Sequence, residues 1–322
     1  MSIQWIIENT ITFTYYLVCF YIIHFIYSII SLFYRIFFRQ RKNLVSRYGA
    51  NSWALVTGAT DGIGKGFCEE LCLSGFNLIL VSRNEDKLNA LANDLKKLNS
   101  NIETHVVVFD FSARTHQNDY KEVFEPLKNF DISILVNNVG IGEPKKFTDQ
   151  DHKETLDFVN INCAPQVLLS NIFLLKLKER SSKSSIINIS SFANLLPFPY
   201  FSQYASTKVF NKFFSVGLAS EHTNMDILNI SPLGVESKLS HRTSDGFFIV
   251  TPRQCAAGSL DSLGYDLESE GIWSHQFIGF FLKSFISITP QFITDYVVPA
   301  IGHYSSIYVK QAVAQEKKNK NQ

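Results

Sequence analysis

The stretch from Trp53 to Gly64 narrows the possible folds of this chain more than any other. Trp53 to Thr57 is a short apolar run that leads directly into Gly58-Ala-Thr-Asp-Gly62-Ile-Gly64. Phe67, Leu71 and Leu73 then recur at helical spacing. Strand, glycine turn and helix therefore follow one another in order. The alternation continues through Asn77 to Ser82, a helical stretch around Leu88 to Leu98, His105 to Phe109, Ile132 to Val136, Ile186 to Ile189 and Asp226 to Ile230. Strands that are apolar throughout and separated by helices mark a parallel sheet covered on both faces. The expected fold class is α/β, a doubly wound parallel sheet of the Rossmann type, with an N-terminal transmembrane helix and an apolar C-terminal extension.

The two flanks are set apart by composition. The chain has 28 phenylalanines, which crowd the first forty residues and the stretch from Phe277 to Phe292. From Asn9 to Tyr34 the one titratable group besides tyrosine and Cys19 is His24, and the run is long enough to cross a hydrocarbon core of roughly 30 Å as a helix. A helix buried in protein is the alternative. A cleaved signal peptide would have a basic start and an apolar run of only about 7 to 15 residues, so retention is expected. Arg35, Arg39, Arg41 and Lys42 follow the run while Glu8 precedes it, which by the positive-inside rule puts the rest of the chain on the cytoplasmic side. Gln276 to Thr294 is apolar but interrupted by Lys283 and Pro290, so it is expected to lie in the membrane interface or against a partner. Lys318 and Lys320 resemble a dilysine signal for return to the endoplasmic reticulum, a solvated tail being the alternative. The expected location is that membrane, with the catalytic domain facing the cytosol.

These readings divide the chain into a membrane anchor with a basic flank (1–45), a catalytic domain (50–270) and an apolar extension with a polar tail (271–322), which associates with membrane or mediates oligomerisation. Lysine plus arginine (30) nearly balance aspartate plus glutamate (29), so overall charge gives no case for a nucleic-acid partner. Cys19, Cys68, Cys72, Cys163 and Cys255 show no CxxC and no accompanying histidine spacing, which points to reduced thiols rather than a metal site or disulfide framework.

Gly58, Gly62 and Gly64 allow a tight turn in which backbone N–H groups approach a pyrophosphate at the positive end of the following helix. Asp61 and Ile63 belong to the same cofactor-binding turn. The end of the second strand discriminates between nicotinamide cofactors, because an acidic residue there binds a ribose 2′-hydroxyl and an arginine accommodates a 2′-phosphate. The sequence has Ser82-Arg83, which favours NADPH/NADP, with Lys65 as a second possible contact. Asp110, just past the third strand, is placed to touch the adenine edge.

Tyr204 and Lys208 are four residues apart and project from one helix face. A phenol with a pKa near 10 beside an ammonium and an oxidised nicotinamide ring can exchange a proton near neutral pH. Ser191 ends the strand before this helix and can hydrogen-bond a substrate carbonyl. Asn162 falls in an expected helix, where asparagine is a poor choice for stability, so a polar task inside the protein is an alternative to a capping role.

In this order the motifs resemble the short-chain dehydrogenase/reductases: Thr57-Gly58-Ala-Thr-Asp-Gly62-Ile63-Gly64, Asn137-Asn138-Val-Gly140, Asn162, Ser191 and Tyr204-Ala-Ser-Thr-Lys208. The likeness covers roughly Ser52 to Asp266. It implies that Tyr204 is the proton donor, that Asn162 holds a water in the proton relay, and that Lys208 binds the nicotinamide ribose. It also implies cofactor contacts at Asn138, Pro232 and Val235, and dimers through the helices bearing Asn162 and Tyr204. TGATDGIGKG, LVSRNEDKL, INISS and LLPFP are similar to the microsomal 3-oxoacyl-CoA reductases of very-long-chain fatty-acid elongation, grouped with 17β-hydroxysteroid dehydrogenases. The implied partners are a small lipid substrate, acyl-CoA or steroid, and other elongation enzymes. Two departures stand out: the Asn162 to Ser191 distance is one residue longer than the family's, and Ser237 replaces the usual threonine of PxxVxT. A ketosteroid dehydrogenase and a non-catalytic membrane scaffold are the competing readings.

Overall fold

The computed structural model describes residues 3–240, 242–297, 299–300, 303 and 307. Lys318 and Lys320 lie outside the described residues. The chain divides into two compact units, Met1–Gln40 and Arg41–Gln322.

The first unit is one helix, α1 (Ile3–Phe37), whose 35 residues reach about 52 Å at 1.5 Å per residue. Nearly all its side chains are exposed, including Phe13, Tyr15, Phe20, Ile23 and Phe25, and this length and composition make it a candidate membrane span.

The second unit is built on a seven-stranded parallel sheet ordered β3-β2-β1-β4-β5-β6-β9. The strands are β1 (Trp53–Thr57), β2 (Asn77–Ser82), β3 (Thr104–Val108), β4 (Ile132–Asn137), β5 (Ser185–Ile189), β6 (Asp226–Ile230) and the short edge strand β9 (Glu268–Ser269). A two-stranded ribbon, β7 (Gly234–Val235) with β8 (Ile249–Val250), lies outside it. The helices are α2 (Leu44–Tyr48), α3 (Gly62–Leu73), α4 (Glu85–Leu98), α5 (Gln117–Phe124), α6 (His152–Asn162), α7 (Ala164–Lys178), α8 (Ser202–Glu221), α9 (Pro252–Ser262) and α10 (Trp273–Ile288).

Successive strand residues point to opposite faces, and here both faces are buried. Ala54, Val56, Leu78 and Leu80 pack with Phe67 and Leu71 of α3, while Leu55, Ile79 and Val81 pack with Phe109, Leu169 and Phe173 on the other side. Buried apolar area on both faces explains why these strands lack the alternation of a half-exposed sheet. The chain order reverses direction between β1 and β4, so the carboxyl ends of these strands frame a crevice at the switch point.

Three findings refine the sequence reading. The apolar run through α6 and α7 is long enough to cross a membrane, yet 56 % of its apolar window is buried within the second unit, and it breaks at Cys163. Pro165 accounts for the break, since it has no N–H to donate to the carbonyl of Ile161. Asn162, expected within a helix, therefore ends α6. Finally, two cations of the basic flank are held by the second unit itself: Arg41 pairs with Asp261 at 2.6 Å, and Lys42 donates to the carbonyl of Gly264.

Candidate active site

The carboxyl ends of β1, β2, β4 and β5 open into a cleft of about 820 Å³, within the range of ordinary ligand sites. Thr57, the last residue of β1, ties its floor together. Its hydroxyl accepts from the N–H groups of Asn138 (2.9 Å) and Val139 (3.1 Å) and donates to the carbonyl of Val136 (3.2 Å). The Asn138 amide in turn donates to the carbonyls of Thr57 (2.9 Å) and Gly58 (3.3 Å).

The glycine turn rests on this floor, and its glycines have different reasons to be there. Gly58 and Gly62 adopt φ of +63° and +50°, in the left-handed region that disfavours a side chain. Gly64 does not line the cleft; a Cβ there would meet the carbonyl of Gly58 and come within 2.5 Å of the Asn138 amide nitrogen. Its need for glycine is thus packing of the turn against the floor rather than direct access to a ligand. Asp61 caps α3, its carboxylate accepting from the N–H of Gly62 at 2.9 Å, and both Asp61 and Ile63 line the cleft.

Arg83 stands exposed at the end of β2 and lines the cleft beside Thr60 and Ser82, whose hydroxyls are 3.0 Å apart. Asp110 follows β3. Burial opposes its ionisation, but hydrogen bonds from the Ser112 hydroxyl (2.7 Å) and N–H (2.9 Å), together with the Arg83 charge, hold its carboxyl below the usual range. Lys65 is not among the residues that line the cleft and lies 3.9 Å from Glu69. Pro232 and Val235 line the cleft, and a Cβ on Gly62 would sit 3.1 Å from that of Ser237, so the segment after β6 closes over the turn.

Tyr204 and Lys208 both line the cleft from α8, with the Lys208 nitrogen 5.6 Å from the centre of the Tyr204 ring. Burial pushes the Tyr204 phenol up, and a hydrogen bond with the Ser191 side chain partly offsets this. Lys208 is 4 % exposed, and burial lowers its ammonium to about 8, opposed weakly by Cys163. Its nitrogen donates to the carbonyl of Ile189 at 3.0 Å, and the adjacent Ser190 hydroxyl donates to the Lys208 carbonyl at 2.6 Å. β5 and α8 are therefore latched at the point where Ser191 enters the cleft.

Asn162, 2 % exposed, lies behind the cleft wall rather than on it. Its Oδ1 accepts from the N–H of Ile141 (2.8 Å), while its Nδ2 donates to the Ile141 carbonyl (2.9 Å) and the Thr207 hydroxyl (3.0 Å). The side chain thus clamps the loop after β4 to α8. Thr207 and Gly142 escaped the sequence reading. Thr207 donates to the Tyr204 carbonyl at 2.7 Å, and a Cβ on Gly142 would come within 2.8 Å of the Tyr204 ring. The YASTK spacing could have pointed to Thr207, but nothing local marked Gly142.

Residues 52–246 match the short chain dehydrogenase family. The very-long-chain 3-oxoacyl-CoA reductase of Coccidioides immitis (strain RS) is 33 % identical over 270 residues, covering 80 % of this chain and 77 % of that protein. The inactive hydroxysteroid dehydrogenase-like protein 1 of Homo sapiens is 34 % identical over 259 residues, covering 77 % and 76 %. Among solved structures, one described for 7β-hydroxysteroid dehydrogenase stereoselectivity superposes with a TM-score of 0.67 at 22 % identity, covering 83 % of this chain and 99 % of that one, a likeness of fold.

Proposed function

From the premise that the chain belongs to the short chain dehydrogenase family, we propose that it is an NADPH-dependent reductase converting the keto group of a long-chain 3-oxoacyl-CoA to the 3-hydroxyacyl-CoA, a step of fatty-acid elongation. The observation that carries this reading is the meeting of Tyr204, Lys208 and Ser191 in one cleft that Leu196, Phe198, Phe201 and Ile286 also line. Such walls suit an alkyl chain, and the few polar groups fix where the reacting carbonyl sits.

The donor set fits a dinucleotide bearing a 2′-phosphate. Gly58 and Gly62 leave the first turn of α3 open to a pyrophosphate, Arg83 with the Thr60 and Ser82 hydroxyls suits a phosphate at the end of β2, and Asp110 suits the adenine. When bound, NADPH would supply the hydride that adds to the keto carbon. Ser191 would hold the carbonyl oxygen, and Tyr204 would give its phenolic proton to that oxygen as negative charge develops on it. The Lys208 ammonium would stabilise the resulting phenolate and hold the ribose. Because Asn162 spends both ends of its amide on Ile141 and Thr207, a relay water would be held by its main chain, the side chain serving to position the Ile141 loop.

The relatives' names also support two other readings: a ketosteroid dehydrogenase, since a sterol would suit the same apolar walls, and a member without turnover. Presence of Ser191, Tyr204 and Lys208 together favours catalysis. Location in the endoplasmic reticulum membrane, with the catalytic domain facing the cytosol, belongs to the same proposal and is supported by α1 and the cations that follow it. A homodimer is supported by exposed Phe210 and Phe213 on α8 and Leu175 on α7, and association with other elongation enzymes is part of the same reading. The test is NADPH oxidation by the full chain in detergent with a long-chain 3-oxoacyl-CoA or a 17-ketosteroid. Turnover of the acyl-CoA is expected; turnover of the steroid alone, or of neither, overturns the assignment.

A further inference from the structure

Helix α10 bears one charged side chain, Lys283, which is part-exposed and reaches back to the buried carboxylate of Glu270. His275, Gly279 and Lys283 form one row four residues apart; His275 is fully buried, Gly279 packs on Glu270, and Lys283 is ion-paired with the buried carboxylate of Glu270. The charge that interrupts this apolar segment in the sequence is thereby neutralised against the catalytic unit. The opposite row, Trp273, Phe277, Phe281, Phe285 and Ile288, is exposed and uncharged, from 38 % for Phe277 to 81 % for Ile288. It runs on to the loop before β8, where Phe247 meets the Trp273 ring at 5.7 Å. Phe248 beside it and Leu282 on α10 are both exposed and both line the cleft, so this surface ends at the cleft's lip.

A surface of this kind marks an interaction site, and three observations choose its occupant. Its exposed groups are aromatic and aliphatic with no charge to pair, the chemistry of a helix lying in a bilayer interface. The chain has its own candidate membrane span in α1. Six residues, 38–43, separate Phe37 from Leu44, a reach of about 25 Å at full extension, so insertion of α1 in a bilayer would tether the second unit to it by a short segment. We propose that the outer row of α10, with Phe247 and Phe248, docks on the lipid bilayer and sets the lip formed by Phe248 and Leu282 at the membrane surface, where a long acyl chain passes from lipid into the cleft. The docking stands on the surface alone; the passage of the acyl chain rests on the function proposed above.

The direct test uses the full chain in phosphatidylcholine nanodiscs whose acyl chains are brominated or not. A Trp5→Phe variant removes the tryptophan of α1 and leaves Trp53 and Trp273. Brominated lipid is expected to quench its emission, and the quenching is expected to vanish in Trp5→Phe/Trp273→Phe. Equal emission in both lipids overturns the docking, and cross-linking of Phe281→Cys chains in its place would assign the surface to a second copy. A double variant, Phe281→Glu with Phe285→Glu, is expected to raise KM for a bilayer-delivered long-chain substrate about tenfold while leaving NADPH affinity unchanged; an unchanged KM contradicts passage along this surface. Quenching without any turnover would sink the proposed reaction and leave the docking intact.

Discussion

Lys208 carries an ammonium into a buried position at the expense of stability. Burial lowers its ammonium to about 8 from an ordinary value of 10.5. The unfolded chain therefore binds the proton more tightly, so between about pH 8 and 10.5 the contribution of this group to stability rises with pH, and at pH 7 it opposes folding by about 3 kcal/mol. Lys208→Met should abolish turnover yet leave the melting temperature at pH 7 unchanged or higher, read by calorimetry; a large drop would mean that the bond to Ile189 outweighs burial of the charge. Thr207→Val removes the hydroxyl that joins Asn162 to α8. A stability loss of about 1–2 kcal/mol, with kcat lowered more than KM is raised, is expected. Arg83→Asp should weaken NADPH relative to NADH by at least about tenfold in a binding titration, because a carboxylate there repels a 2′-phosphate and accepts from a 2′-hydroxyl. Tyr204 and Lys208 stood out in the sequence by residue type and spacing, and the structure brings both to one cleft. Gly142 did not stand out, because its reason is the Tyr204 ring, 62 residues away in the chain.

At the level of elements, long apolar strands were readable and short ones were not. β1, β2 and β6 begin and end where the apolar runs do. β9 contributes only Glu268 and Ser269, too few residues for any pattern, and it joins the sheet because the Asn229 and Ser231 N–H groups donate to the carbonyls of Leu267 and Ser269. The register of α2 was equally hidden, since it depends on Asp226 at the far end of β6. That carboxylate accepts from Arg47 at 2.5 and 2.8 Å and from the Tyr48 hydroxyl at 2.7 Å. Burial opposes its ionisation, but these partners win and hold its carboxyl below the ordinary aspartate range. Its stabilisation is therefore present above about pH 4 and is lost as pH falls below that. Asp226→Asn, which leaves Arg47 without its counter-charge, should cost about 2–3 kcal/mol at pH 7 and flatten the acid limb of stability against pH. Equal acid limbs for the variant and the parent protein would contradict this account of α2.

The whole molecule joins an apolar helix to a doubly wound α/β unit. Composition marked the helix and the order of apolar runs and glycine turns marked the sheet, whereas the inward row of α10 became visible only through the burial of His275 and the pairing of Lys283 with Glu270. We propose that this assembly is a working reductase with Tyr204 as its acid, rather than a fold retained without turnover. The most direct measurement is formation of 3-hydroxyacyl-CoA by the full chain in nanodiscs with NADPH, followed by mass spectrometry, beside Tyr204→Phe. The prediction is one hydroxyl formed per NADPH consumed, a loss of at least about a thousandfold in the variant, and NADPH affinities that agree within about twofold. Bound NADPH with no product from the parent protein, or undiminished product from Tyr204→Phe, would contradict it.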